Sequence, residues 1–330
     1  SYCIIRWAES LELFLKKRGK RFAAFLSILA AASAAIYAVN KIIIQSATAG
    51  HLLKKDSSVF AWRFGNVKYT KTGKGSPLLL LHELSPCSSS YEWHRILSAL
   101  STRHTVYCVD LPGCGLSDKQ NITYTNFYYV QFLVDFTKSV IGSPTDILAA
   151  GLSSSFAITA CSYEPKLFHK LILINPTPFS VLLQIPSRRR RIAKAMLECP
   201  LTGTLLYHLI VSRRRIQREF EERLFFHREK VKPEYVNAYY ESSHTHNSSG
   251  KYLMSSIIGN YIYLDIRHAL RSIDQDIVIL GSSGQEYMGA TLSAYQEVNP
   301  AVETVMIPEA SHLPQLEAPE KLLEHLKIYL

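Results

Sequence analysis

"TDILAAGLSSSFAITACSYEP", residues 145–165, decides the fold. Residues 145–151 form an apolar run ending in glycine and read as a strand. Residues 154–165 read as a helix stopped by Pro165. The segment between them, Gly151-Leu152-Ser153-Ser154-Ser155, is a strand–turn–helix corner. Such a corner lifts one side chain above the sheet edge and needs small neighbours, because the backbone there is strained and crowded. Ser153 is read as the nucleophile of this corner, and Ser155 stands where a last glycine is usual. Taken alone, the serine cluster serves equally well as a helix N-cap.

The surroundings repeat the same alternation. "PLLLLH" (77–82), "HTVYCVDL" (104–111) and "HKLILINPTPF" (169–179) read as strands, and residues 91–101 and 125–141 as helices. Strands alternating with helices imply parallel βαβ units. Before them, residues 59–73 alternate like an antiparallel hairpin, with "KTGKGS" (71–76) supplying the turn. The alternation breaks over 180–262, which is helical and carries the runs Arg188–Arg191 and Arg213–Arg215. It resumes at "QDIVILGSSG" (275–284) and "ETVMIPEASH" (303–312), before a last helix at 319–330. The middle is therefore an insertion into an α/β core. His312 lies in the loop between the last strand and the last helix. A histidine there suits a general base, since it approaches the corner from a separate loop and titrates near neutrality.

The whole chain has 330 residues, 47% of them apolar, and a net charge of +10. That length fits one large α/β domain with an insertion. The basic excess points to an anionic partner, such as a membrane surface, or to a solvated basic face. Nucleic acid is disfavoured, because no nucleic-acid-binding signature accompanies the charge. The six cysteines are scattered and contain no CxxC pair, so no disulfide framework is read. No cofactor is expected, and His244 with His246 is too small a group for a metal site.

The N-terminus divides into a basic segment, 1–21, and an uncharged stretch, "FAAFLSILAAASAAIYAV" (22–39), that Ile42–Ile44 can extend. Its eighteen residues span about 27 Å as a helix, slightly short of a bilayer core. Residues 22–44 are read as a single-pass membrane anchor ahead of a signal peptide or a buried helix. The preceding basic cluster favours a cytoplasmic N-terminus and an extracytoplasmic catalytic domain. After the anchor come a linker (45–58), a first α/β core segment (59–179), a helical cap (180–262) and a second core segment (263–330).

Four segments, in order, resemble the α/β-hydrolase superfamily in its lidded serine-esterase branch. They are "LLLLHELSPCSSSYEWHRILSAL", "VYCVDLPGCGLSDK", "GLSSS" and "ASHLPQLEAPE". The resemblance covers about residues 60–330. It implies a mostly parallel central sheet with flanking helices and a helical cap inserted after the sixth strand. It also implies Ser153 as nucleophile, His312 as general base, and an oxyanion hole made by the backbone N–H of Ser154 with that of Leu84 or Glu83. Two departures stand out. Glu83 replaces the glycine after His82, where its charge would oppose a developing oxyanion. The acid is missing from both usual places, now Gly284 and Asn175, and Glu286 is the nearest substitute.

The expected function is membrane-anchored serine hydrolysis of a hydrophobic ester or thioester through a Ser153 acyl-enzyme. The alternative is an impaired hydrolase-like ligand-binding protein, and a third reading is a membrane-associated scaffold. Dehalogenase and epoxide hydrolase chemistry is disfavoured, because it needs a carboxylate at the position of Ser153. The arginine runs are read as a solvated face, with contact to anionic lipid as the further possibility.

Overall fold

The computed structural model describes residues 2–48, 50–52 and 57–330, with side chains from Phe22 onward. β1 (Ser58–Trp62) and β2 (Gly65–Thr72) form an antiparallel hairpin. The strands β3 (Ser76–Leu81), β4 (His104–Val109), β5 (Thr145–Ala150), β6 (Phe168–Ile174), β7 (Asp276–Ser282) and β8 (Glu303–Ile307) run parallel. They make one eight-stranded sheet of order β1-β2-β4-β3-β5-β6-β7-β8, with β2 antiparallel to β4. The hairpin turn is Arg63–Phe64. The expected turn, 71–76, instead carries the chain from β2 to β3, because Gly73 and Gly75 both take positive φ there.

The apolar strand runs follow from burial on both faces. Leu79, Leu81, Ile147, Ala149, Leu171 and Leu173 point to one side of the sheet. Leu78, Leu80, Leu148, Ala150, Ile172 and Ile174 point to the other. The first core is closed by α3 (Asn126–Phe136) and α4 (Ser153–Tyr163). The second is closed by Trp93, Ile96, α2 (Leu97–Leu100) and the C-terminal helix. Thr125 caps α3 by accepting the Tyr128 N–H, and Pro165 follows directly on the end of α4.

After β6 the chain leaves the core through α5 (Phe179–Leu182), α6 (Arg188–Glu198), α7 (Thr202–Ile210), α8 (Arg213–Glu219), α9 (Pro233–Ser248) and α10 (Gly250–Ile258). These helices form the cap over the carboxyl ends of the strands. The chain returns through α11 (Arg267–Arg271), β7, α12 (Met288–Val298), β8, α13 (Pro314–Glu317) and α14 (Pro319–Tyr329).

One N-terminal helix, α1 (Tyr2–Ala47), contains a stretch long and apolar enough to cross a membrane, Phe22–Ala47, with mean hydropathy 2.1. The side chains of 1–21 lie outside the described residues. The helix runs into the segment expected to be a linker, of which residues 49 and 53–56 lie outside the described residues. The backbone N–H groups of Gly50 and His51 donate to the Glu241 carboxylate on α9, at 3.0 and 2.6 Å.

The first hairpin is fixed to α3 by Trp62. Its ring packs edge-on against Tyr128 and Phe132, and its Nε1–H donates to Asp135 Oδ2 at 2.8 Å. Trp62→Ala is expected to cost about 3–5 kcal/mol, through lost burial and the cavity left behind. Urea unfolding followed by circular dichroism checks this, and a loss below about 1 kcal/mol contradicts it.

Candidate active site

The corner between β5 and α4 is sharper, and earlier in the chain, than the sequence suggests. β5 ends at Ala150 and α4 begins at Ser153. The left-handed residue at the apex is Gly151, with φ of 54°. Ser153 is two residues further on, in the first turn of the helix and fully buried. Its Oγ donates to the carbonyl of His82 at 2.6 Å, so it braces the β3 loop from below. Ser153 is therefore not brought to His312. The Ser154 N–H is likewise spent inside the turn, on the carbonyl of Gly151 at 3.2 Å.

The space above Gly151 is taken by the side chain of Glu83. A Cβ built on Gly151 would lie 1.5 Å from Glu83 Oε2. Glu83 Oε1 accepts from the N–H of Leu84 at 2.8 Å and from the N–H of Leu152 at 3.1 Å. Glu83 Oε2 lies 2.7 Å from His312 Nε2. Leu152 follows the apex and Leu84 lies on the loop after β3, the two places from which an oxyanion hole in this kind of corner draws its N–H groups. The carboxylate thus meets the N–H groups of Leu84 and Leu152 and not that of Ser154, and the Glu83 N–H turns away to Glu92 Oε2 at 3.2 Å. Burial pushes the Glu83 carboxyl up, but the hydrogen bond and charge of His312, with the two backbone N–H groups, outweigh it. The net effect holds the group below the ordinary carboxylate range, so it is ionised.

Behind the imidazole stands Gln285 rather than Glu286. Gln285 Nε2 is 3.0 Å from His312 Nδ1, while Glu286 is exposed. The Gln285 Oε1 is buried without a partner. Turning the amide over would let Oε1 accept the Nδ1–H while the Nε2–H donates to Glu83 Oε2. Asn175 is a staple: its Nδ2 donates to Ser282 Oγ and to the carbonyls of Ser311 and His312, and its Oδ1 accepts the Ser282 N–H. It fixes the histidine loop to the ends of β6 and β7. His82 fixes the other loop. Its Nε2 accepts the Leu111 N–H at 3.0 Å, so Nδ1 carries the proton given to the Glu83 carbonyl at 2.7 Å.

Glu83 and His312 open onto a cavity of about 1230 Å³ between core and cap. Phe179, Val211, Ile216, Leu224, Met254 and Ile257 supply apolar walls, and Tyr263 and Tyr287 also line it.

The sequence profile of the alpha/beta hydrolase family matches residues 78–325. The chain belongs to that family. It is 24% identical over 134 residues to 2-hydroxy-6-oxo-6-(2'-aminophenyl)hexa-2,4-dienoic acid hydrolase of Metapseudomonas resinovorans, a match covering 38% of this chain and 46% of that protein. It is 27% identical over 113 residues to pimeloyl-[acyl-carrier protein] methyl ester esterase of Aeromonas hydrophila, covering 34% of this chain and 42% of that one. The chain spans less than half the length of these relatives. A crystal structure of a membrane phospholipase A, described as a bacterial virulence factor, superposes with a TM-score of 0.66 at 18% identity. That superposition covers 94% of this chain and 97% of the other.

Beneath Glu83 lies a second carboxyl. Glu92 is fully buried and accepts from Tyr239 Oη at 2.7 Å, Gln315 Nε2 at 3.3 Å and the Glu83 N–H. Burial raises its pKa from 4.5 to about 7, against the lowering effect of the hydrogen bonds. The folded chain therefore binds a proton that the unfolded chain has released between about pH 4.5 and 7. Through this group, stability falls as pH rises across that window, by about 3 kcal/mol in all. Infrared spectra should show a protonated carboxyl near pH 5 that is lost by pH 8.5. Glu92→Gln should remove that band, and a wild type without it contradicts the assignment.

Proposed function

We propose that this chain is a membrane-tethered hydrolase of a hydrophobic small molecule, in which Glu83 supplies the nucleophile and His312 the base. The observation that carries the reading is the seat of the Glu83 carboxylate. One oxygen lies on both N–H groups of the oxyanion hole, and the other lies against the imidazole, over a glycine apex. Carboxylate chemistry is disfavoured on the sequence because Ser153 is not an acid. Here the carboxylate arrives from the β3 loop instead.

The reaction follows from this seating. Glu83 Oε2 attacks a saturated carbon bearing a leaving group, which departs with its electron pair and with the His312 Nε2 proton, leaving an enzyme ester and a free Nε2. Oε1 becomes the ester carbonyl oxygen, already held by Leu84 and Leu152. Water attacks the carboxyl carbon while His312 Nε2 takes its proton, and the two N–H groups stabilise the oxyanion on Oε1. Collapse breaks the bond between the carboxyl carbon and Oε2, which leaves with the substrate carbon and takes the proton from His312. The alcohol departs, and the new carboxyl, which now carries the water oxygen, gives its remaining proton back to His312, so the carboxylate is regenerated. Gln285 orients the ring without adding charge, which weakens the base relative to a triad with an acid.

Labelling tests this sequence. A single turnover of 1-haloalkanes or alkyl epoxides in ¹⁸O-water should place ¹⁸O in the peptide containing Glu83 and none in the first product. Label appearing directly in that product contradicts the nucleophile, and Glu83→Gln should lower turnover by about 10³-fold or more. The ester or thioester expected from the resemblance predicts the reverse at this residue. Glu83→Gly would empty the oxyanion hole and speed p-nitrophenyl ester hydrolysis. The binding-protein reading is favoured by one feature, the full set of partners the carboxylate already has, and it predicts no turnover of any of these probes.

A second experiment tests the apex. Wild type should not react with a serine-directed fluorophosphonate, because Ser153 is buried and bonded to His82. Gly151→Ser combined with Glu83→Gly places a hydroxyl at the apex with a free oxyanion hole beside His312, and this variant should become labelled. Labelling of wild type that Ser153→Ala abolishes would restore the serine mechanism.

A further inference from the structure

We propose that the α6–α7 face of the cap lies in the surface of the membrane that α1 enters, held there by anionic lipid headgroups. The proposal rests on reading α1 as the anchor. Three features of the structure meet at this face.

The first is the way α1 joins the cap. Phe22 to Ala32 are exposed, but further along the covered positions recur at Ile36, Asn40, Ile43, Ile44 and Ala47. That spacing of three and four is one face of a helix, and it packs on α7 and α9. Asn40 is buried, and its Nδ2 donates to the carbonyl of Leu201, just before α7, at 3.1 Å. The Glu241 carboxylate then takes the Gly50 and His51 N–H groups. The last turns of the apolar helix and the start of α7 are thus one packed unit. Eighteen residues, 22–39, cover about 27 Å, so Asn40 falls near the boundary of a core about 30 Å thick. The docked end of α7 is brought to the same boundary.

The second feature is what the cap exposes beside that joint. Ile185 is 77% exposed, Ile192 54%, Met196 58% and Leu209 59%. These large apolar side chains come from the α5–α6 loop, α6 and α7, and α6 meets the helical run Thr202–Leu224 at 104°. The third feature is charge. Arg188–Arg191 open α6, and Arg213–Arg215 open α8 at the far end of α7, all of them exposed. Apolar side chains ringed by arginine are the pattern of an interfacial helix on an anionic surface. Ile210, Val211 and Arg215 line the catalytic cavity from this same region of the cap. A hydrophobic substrate dissolved in the bilayer therefore has its entry beside the membrane.

The experiment uses the full chain in nanodiscs, with Cys3, Cys87 and Cys199 replaced by serine and single cysteines carrying an NBD fluorophore at Leu26, Met196, Leu209 or Ile328. In discs containing phosphatidylglycerol, labels at Met196 and Leu209 should be quenched by nitroxide lipid and shielded from iodide. The label at Ile328, 73% exposed on the C-terminal helix, should behave in the opposite way. Iodide access at Met196 and Leu209 equal to that at Ile328, with Leu26 in lipid, overturns the proposal and leaves the anchor standing. Aqueous behaviour at Leu26 as well removes the anchor and the proposal together. Shielding at Leu209 should fall several-fold in discs of phosphatidylcholine alone, and also when Arg188–Arg191 are replaced by glutamine. Shielding that ignores both changes overturns the role of the headgroups. No readout depends on turnover, so the result is independent of the Glu83 chemistry.

Discussion

The Glu83 carboxylate is the interaction around which the carboxyl end of the sheet is arranged. It joins the loop after β3, the apex after β5 and the loop after β8 through three hydrogen bonds. A buried anion needs such partners, since an uncompensated one would cost several kcal/mol. Each neighbouring oddity of the sequence follows from this need. Gly151 has no side chain because the carboxylate fills the space a Cβ would take. Ser153 is turned inward to hold the His82 carbonyl, which fixes where the Glu83 backbone begins. Gln285 replaces an acid behind His312. A second negative charge there would sit on the far side of an imidazole already paired with Glu83.

Two layers of polar contacts support that arrangement. Asn175 ties the histidine loop to the strands, and His82 ties the Glu83 loop to Leu111. Asp110 accepts the N–H groups of Ser90 and Leu116, so the glycine-rich turn after β4 serves as scaffold. Glu92 takes the N–H of Glu83 from below and stays largely protonated at acidic pH, which limits the repulsion between two neighbouring carboxyls. The side chains of Glu83 and His312 keep only 17% of their surface exposed, which strengthens the contact between them.

The N-terminal helix α1 and the cap are coupled in the same way, by polar groups buried at an apolar joint. Asn40 and Glu241 each satisfy backbone groups that the junction would otherwise leave unpaired. A helix that only tethered the domain would need neither. Within α1, the side chains from Phe22 to Ala32 are exposed, as those of a segment facing lipid would be.

The sequence by itself determined the strands that build the sheet, the helical stretch between β6 and β7 and the position of a histidine after the last strand. These are written in local patterns: continuous apolar runs for strands buried on both faces, helical spacing between them, and a histidine between the last strand and helix. It also marked Glu83 as foreign to a serine site. What it did not determine was register. The segment Gly151-Leu152-Ser153 fits a nucleophile corner at either end, and a shift of two residues separates the left-handed apex from a helical turn. Gln285 and Glu286 are likewise adjacent, and only the path of the loop selects which one meets the ring. Those choices belong to the tertiary structure. They turn on where the β3 loop delivers a charge 68 residues before Gly151, and a carboxylate's partners are set by position in space rather than by position in the chain.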